Sequence, residues 1–433
     1  MQLPLSVLGL IEHFFSFCLP TAPLPQPPPK LNPPRLELEL RHLHAASHEH
    51  IVFSDITPSL ASERYSVGTR ALRTARPPSF AAIQAARRGD ALGFGWEEED
   101  IHGPNVDERE TLLTLAKMTS NAYARPGDSG WYDLGGNWNT VCRRPPSHNH
   151  LAFPVGWQPG DDGFRGHVFA TPDNGTVVLS IKGTSVPFLG GGPTTRKDKL
   201  NDNLLFSCCC ARVDWSWSTV CGCYRGAPGQ RCDQACVERA LVDESLFYTV
   251  GTNLYNNLTY MFPEANIWLI GHSLGGGLAA LLGSTFGAPV VAFEAPGERM
   301  AHRRLHLPSP PSLNHITHVY NTADPIPLGT CTGSSSTCGM AGYALESRCH
   351  LGNTILYDTV ANLSWPVDAR SHRIGVLTDT LLAAPWPPAE AQGREVPAPA
   401  PEDGCVDCAA WEFGDFPAMK GAGNASAGAE CGR

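Results

Sequence analysis

The sequence predicts an α/β fold: a mostly parallel sheet with helices on both faces and a cysteine-rich insertion. Three observations carry that expectation. Apolar strand-like runs alternate with helical periodicity from about residue 166 to 325, in the order β, α, β, α, β, which is how a sheet acquires helices on its faces. Within that stretch, Gly271-His272-Ser273-Leu274-Gly275 follows an apolar run and precedes a helix-forming one, 278–282. This Gly-x-Ser-x-Gly spacing lets a strand turn sharply into a helix, which forces the serine into a strained backbone and exposes its hydroxyl. Finally, seven of the 15 cysteines fall between Cys208 and Cys236, in the middle of the alternation.

Taken in order, residues 1–34 are an apolar run (3–19) and a proline-rich linker. The run is shorter than the roughly 20 residues of a membrane span and long for a signal core, leaving a signal anchor, a cleaved signal or a misassigned N-terminus. Residues 35–108 form an extension with little periodicity, and its loose cluster His42, His44, His48 and His50 reads as a surface segment. A helix is expected over 109–123, then an aromatic, glycine-rich loop at 130–139. Strands 168–170 and 177–181 bracket Pro172-Asp173-Asn174-Gly175, a hairpin turn. The second strand ends in Lys182-Gly183-Thr184-Ser185.

The excursion 187–236 sits where a lid would sit. Its Trp215 and Trp217 suit a lipid interface or packing against disulfides. One amphipathic helix over 237–261 is ended by Pro263. The elbow strand (266–271) and its helix follow, then strands 289–293 and 316–321. A helix over 374–382 closes the 109–384 domain. In the tail, 385–433, the Pro- and Ala-rich stretch 385–401 reads as disordered, and Cys405 and Cys408 as a terminal staple or as unengaged.

The chain has 433 residues, a net charge of −10 and only 17% charged residues. No basic stripe with interleaved aromatics is present, so a nucleic-acid partner is not expected. The cysteine cluster contains no Cys-x2-Cys pair and no histidine. Disulfides in an oxidising compartment fit better than a metal, and neither metal nor cofactor is expected. The odd total leaves one thiol over, with Cys18 the candidate, and Cys349 is expected to be tied to Cys331 or Cys338. Sequons at Asn174, Asn257, Asn362 and Asn424 point to the same compartment.

In the α/β-hydrolase arrangement an acid follows the serine and a histidine follows the acid. Asp324 ends an apolar strand just before Pro325, which fixes it rigidly; Asp358 and Asp368 are its rivals in a helix and a loop. Only His350 and His372 come later, and His372 lies in a polar loop before a helix. The expected roles are Ser273 as nucleophile, His372 as base and Asp324 as the group fixing its tautomer. The N–H groups of Leu274 and Thr184, with the Thr184 hydroxyl in addition, would bind an oxyanion. His272 is expected to point away.

These motifs resemble the lipase class 3 family and, within it, the fungal autophagy lipases of the vacuole. The resemblance rests on the elbow with Gly276 and Gly277, on Lys182-Gly183-Thr184, and on the run from Tyr320 to Pro327. Further matches are the run from Ala116 to Tyr123, the 130–139 loop, the cysteine cluster and the segment 405–415. It implies hydrolysis of triacylglycerols and phospholipids, membrane lipids as substrate, and lysis of autophagic bodies and multivesicular-body vesicles. It also implies a single-pass type II glycoprotein sorted through the endoplasmic reticulum, Golgi and endosome to the vacuole. Glu12, and basic residues after rather than before the apolar run, depart from a type II anchor. Alternatives are a soluble secreted carboxylesterase or a non-catalytic hydrolase-like binding protein.

Overall fold

A computed structural model of the chain describes residues 34–47, 50–56, 64–90, 94–124, 130–132, 163–184, 195–212, 219–226, 230–244 and 246–416. The chain divides into Met1–Pro33, outside the described residues, and Pro34–Arg433. Cys18, His48, Trp215, Trp217, Asn424 and all but the first three residues of the 130–139 loop also lie outside them.

Five strands form the parallel centre of one large sheet: β6 (Thr176–Ile181), β8 (Asn266–His272), β9 (Val290–Phe293), β10 (Ile316–Asn321) and β11 (Asn353–Tyr357). Their apolar residues point alternately to the two faces. Val177, Leu179, Leu269 and Ala292 pack with the elbow helix Leu274–Phe286 on one side. Val178, Trp268, Ile270 and Val291 pack with the helix Arg109–Asn121 on the other. Strands buried on both faces read as continuous apolar runs, which is why β6, β8, β9 and β10 are legible in the sequence, whereas β11 is not among the strands expected. The expected α/β architecture with helices on both faces is present. Among the described residues, no helix is long and apolar enough to cross a membrane; the 3–19 run is not among them.

Several expectations are corrected. Residues 35–108, which show little periodicity in sequence, are strand-rich: β1 (Arg35–Ser47), β2 (His50–Asp55), β3 (Arg64–Arg76) and β4 (Glu97–Pro104) continue the sheet antiparallel through β5 (Arg165–Ala170). His44 on β1 is 2% exposed, not a surface residue, and bonds the Ser180 carbonyl at 2.9 Å. The helix expected over 237–261 is present where described, as Gln234–Glu244 and Leu246–Met261, with residue 245 outside the described residues. The 385–401 tail is ordered: Pro387–Glu390 is helical, Val396 is fully buried, and β12 (Ala400–Pro401) pairs with β11.

Cys405 and Cys408 are long-range ties, to Cys349 and Cys208, and Cys331 pairs with Cys338. Neither partner expected for Cys349 holds. The remaining bridges are Cys209–Cys232, Cys210–Cys221 and Cys223–Cys236. Beside this knot, β7 (Gln230–Asp233) pairs with β13 (Trp411–Gly414) as a separate two-stranded sheet. The disulfide expectation therefore holds for the cluster, and the tail is bonded into it.

Candidate active site

The elbow has the backbone that its glycines predict. Ser273 sits at φ 57° and ψ −131°, a conformation that L side chains adopt only under constraint. A Cβ on Gly271 would lie 2.2 Å from the Gly275 carbonyl oxygen, and one on Gly275 would lie 2.3 Å from that of Ile181. The turn is tied to the next strand by Ser273 N–H donating to the Phe293 carbonyl at 3.0 Å. The Ser273 side chain does not cap the helix that follows.

Instead, the serine faces His372. His372 Nε2 lies 2.9 Å from Ser273 Oγ, and its Nδ1 lies 2.6 Å from Asp324 Oδ2. A carboxylate only accepts, so Nδ1 carries the proton and Nε2 accepts from the serine hydroxyl. Asp324 is fully buried, and its second oxygen accepts the Ile326 N–H at 2.9 Å. The three residues come from three different elements: the β8 turn, the end of β10 and the short 3-10 turn Ala369–His372. Asp368 holds that turn in place. Its N–H donates to the Ala323 carbonyl, and its carboxylate, kept below the usual range by Arg370, caps the Arg370 N–H at 2.7 Å.

The rival residues have other work. Asp358 caps the Thr359–Leu363 helix. His350 is buried between Glu402, at 2.8 Å, and the Ala295 carbonyl, at 3.0 Å.

Thr184 lines the same cavity as Ser273, and Leu274 follows the serine directly. Gly183 passes so close that its Cβ would meet the His272 carbonyl oxygen at 2.3 Å. Leu274 opens the elbow helix, where the first N–H has no acceptor within the helix itself. The Thr184 hydroxyl, expected to add a bond to an oxyanion, donates to Asp202 Oδ2 at 2.5 Å. Asp202 lies in a buried cluster with Lys182 and Asp198, which pair at 3.3 Å. Burial pushes Asp202 up to about 8, and burial brings Lys182 down to about 8 against the pull of Asp198.

His272 does not point away. Its Nε2 lies 2.8 Å from the His372 carbonyl oxygen, so that nitrogen carries the proton, and Nδ1 accepts from the Tyr123 hydroxyl at 2.8 Å. Tyr123 in turn accepts the Gly183 N–H at 3.1 Å. Burial, with His372 adding, lowers His272 to about 3, so it stays neutral. The Thr184 loop and the His372 loop are thus joined through two side chains beside the serine. No sequence rule indicates this, because a residue next to the elbow serine can turn either way.

Ser273 and His372 open into a cavity of about 1370 Å³ whose lining includes Trp131, Ile326, Tyr343, Leu345 and Ile374. That exceeds the ~300–1,000 Å³ typical of small-ligand pockets. Of the sequons, Asn174 lies exposed on the β5–β6 turn, and Asn257 and Asn362 are exposed on helices.

No family model matches the chain. The protein named "Putative lipase ATG15" of Cryptococcus neoformans var. neoformans serotype D (strain B-3501A) is 44% identical, over 90% of this chain and 80% of that one. Its namesake in Mycosarcoma maydis is 47% identical, over 77% and 63%. Among solved structures, the Lip2 lipase of Yarrowia lipolytica is 16% identical, with a TM-score of 0.28, over 56% of this chain and 76% of that one. By its likeness to the first of these along nine-tenths of its length, the chain belongs to the ATG15 lipase family.

Proposed function

We propose that this chain is a serine lipase that hydrolyses ester bonds of triacylglycerols and phospholipids. The observation that supports this most is the unbroken hydrogen-bonded row from Ser273 through His372 to Asp324, opening into a large apolar-lined cavity. Ser273 Oγ attacks the ester carbonyl carbon while His372 Nε2 takes its proton. The imidazolium that forms is stabilised by Asp324, and the carbonyl oxygen, now an anion, accepts from the Leu274 and Thr184 N–H groups. His372 then returns the proton to the leaving alcohol, and the C–O bond breaks. Water repeats the sequence on the acyl-enzyme and releases the fatty acid.

The family membership supports a site of action inside the vacuole, where membrane lipids of autophagic bodies and multivesicular-body vesicles would be the substrate. Delivery would run through the endoplasmic reticulum, Golgi and endosome, with residues 1–34 as anchor or signal. The six disulfides among the described residues and the exposed Asn174, Asn257 and Asn362 suit a glycoprotein on that route. The test is purified chain against phospholipid vesicles and triacylglycerol emulsions. Wild type releases fatty acid from both, whereas Ser273→Ala releases none and unfolds at nearly the same temperature. Fatty acid release by Ser273→Ala at the wild-type rate contradicts the reading.

A further inference from the structure

A second buried carboxyl lies against Asp324. Glu294 immediately follows β9, and Asp324 lies just beyond β10, its parallel neighbour, so both reach the same edge of the sheet. Both are 0% exposed. The Glu294 carboxyl lies within hydrogen-bonding reach of Asp324. It also accepts from Asn321, at 2.8 Å from Nδ2 and 3.3 Å from the backbone N–H. Glu294 has a backbone φ of 43°, a region open to glycine and disfavoured for longer side chains. A glutamate kept there, fully buried, indicates that its carboxyl has a task.

Two carboxyl groups can hydrogen-bond to each other only if one carries a proton, because two carboxylates side by side repel. The groups facing Glu294 are Asp324, Asn321 and, at longer range, the Tyr320 phenol. None is a cation. Asp324, in contrast, faces His372, which becomes one during the reaction. The proton therefore belongs on Glu294. Burial, reinforced by Asp324, holds its carboxyl well above the usual range.

We propose that Glu294 is a positioning residue that stays protonated and donates to Asp324, keeping that carboxylate aimed at His372 Nδ1. This rests on the reading of Ser273, His372 and Asp324 as a charge relay. A neutral donor fixes the carboxylate's rotamer without adding a second buried negative charge. The proton stays on Glu294 throughout.

Three variants and one spectrum test it. Glu294→Gln keeps a neutral donor and preserves both kcat and the acid limb of kcat/KM. Glu294→Ala loses about ten- to a hundredfold in kcat, the scale of a lost hydrogen bond to a charged group, with KM little changed. If Glu294 is instead ionised, Gln removes a negative charge near His372, the imidazole pKa falls, and the acid limb moves to lower pH; that shift overturns the proposal. So does full kcat in Glu294→Ala. Should Glu294→Ala fail to fold, Glu294→Gln carries the test alone. Infrared difference spectra of wild type against Glu294→Gln read the proton without turnover. The C=O stretch of a protonated carboxyl, lost in the variant, is the expected result, and its absence at neutral pH overturns the proposal. Ser273→Ala, assayed in parallel, separates the two readings. Turnover in Ser273→Ala removes the charge relay while leaving the Glu294 protonation result to be read on its own.

Discussion

Around Ser273, position is fixed by backbones that touch; in the cysteine knot, it is fixed by covalent bonds. At the elbow, β8, the Ile181–Gly183 segment and the elbow helix approach so closely that Gly271, Gly275 and Gly183 have no room for a methyl group. No cysteine takes part. In the knot, Cys209, Cys210, Cys223, Cys232 and Val237 make a small buried cluster of their own. Three local bridges close it, and Cys208–Cys408 ties it to the tail across 200 residues. A large sheet can hold a strained residue by packing alone. A short excursion buries too little apolar surface for that, and crosslinks supply the difference.

The sharpest way to break this contrast is a methyl group at the elbow. Gly275→Ala places its Cβ 2.3 Å from one backbone oxygen and 2.8 Å from a backbone carbon, and neither can rotate aside. We expect a loss of more than about 4 kcal/mol in urea unfolding, the exceptional end of single substitutions, and no ester turnover. Removing the long tie should do less. Cys208→Ser combined with Cys408→Ser should lower stability by about 2–5 kcal/mol while the folded fraction keeps its activity, since the knot does not carry Ser273. Loss of activity in proportion to the free serine hydroxyl reactivity, with stability intact, would show that the knot shapes the site after all.

Tyr123→Phe comes next. It removes the hydroxyl between Gly183 and His272 and should reduce kcat by about tenfold, the scale of one buried hydrogen bond. A wild-type kcat would mean that the two loops hold their positions independently.

The smallest effect is in pH. His44, His167, His272, His302 and His315 are buried and lowered to about 4, 3, 3, 4 and 4, and all lie outside the knot. Each takes up a proton on unfolding below its unfolded value of 6.5, so the stability each supplies is lost as pH falls from about 6.5 through its folded pKa. Buried Asp202 and Glu346, raised to about 8 and 7, behave oppositely: their contribution fades as pH rises through those values. Melting temperature should therefore peak near about pH 6.5, and reduction of the disulfides should lower the curve without moving its maximum. A maximum that moves on reduction would tie the two regions together.

How much of this was legible follows from the range of each interaction. Ser273, Thr184, Asp324 and His372 each sit at the end of an apolar run or in a loop before one, and their order along the chain is fixed by the sheet. Local pattern therefore points to them as candidates. Tyr123 reaches His272 from 149 positions away, Asp202 reaches Thr184 from 18 and Glu294 lies 30 positions before Asp324, and nothing local marks them. The β1–β4 extension escaped notice because its outer strand is acidic, Glu97-Glu98-Glu99-Asp100, and pairs with Arg73 and Arg76 at the surface. It lacks the apolar density of a central strand. The tail reads as disordered by composition, yet Cys405 and Cys408 pin it, and pairing between distant cysteines is a property of the folded chain alone.

The central claim is that Ser273 is the activated nucleophile. The most direct measurement is labelling of the intact chain with a fluorophosphonate, followed by mapping of the modified peptide. The expected result is one label, on Ser273, greatly slowed in His372→Ala. A label on another serine, or none on active protein, would contradict it.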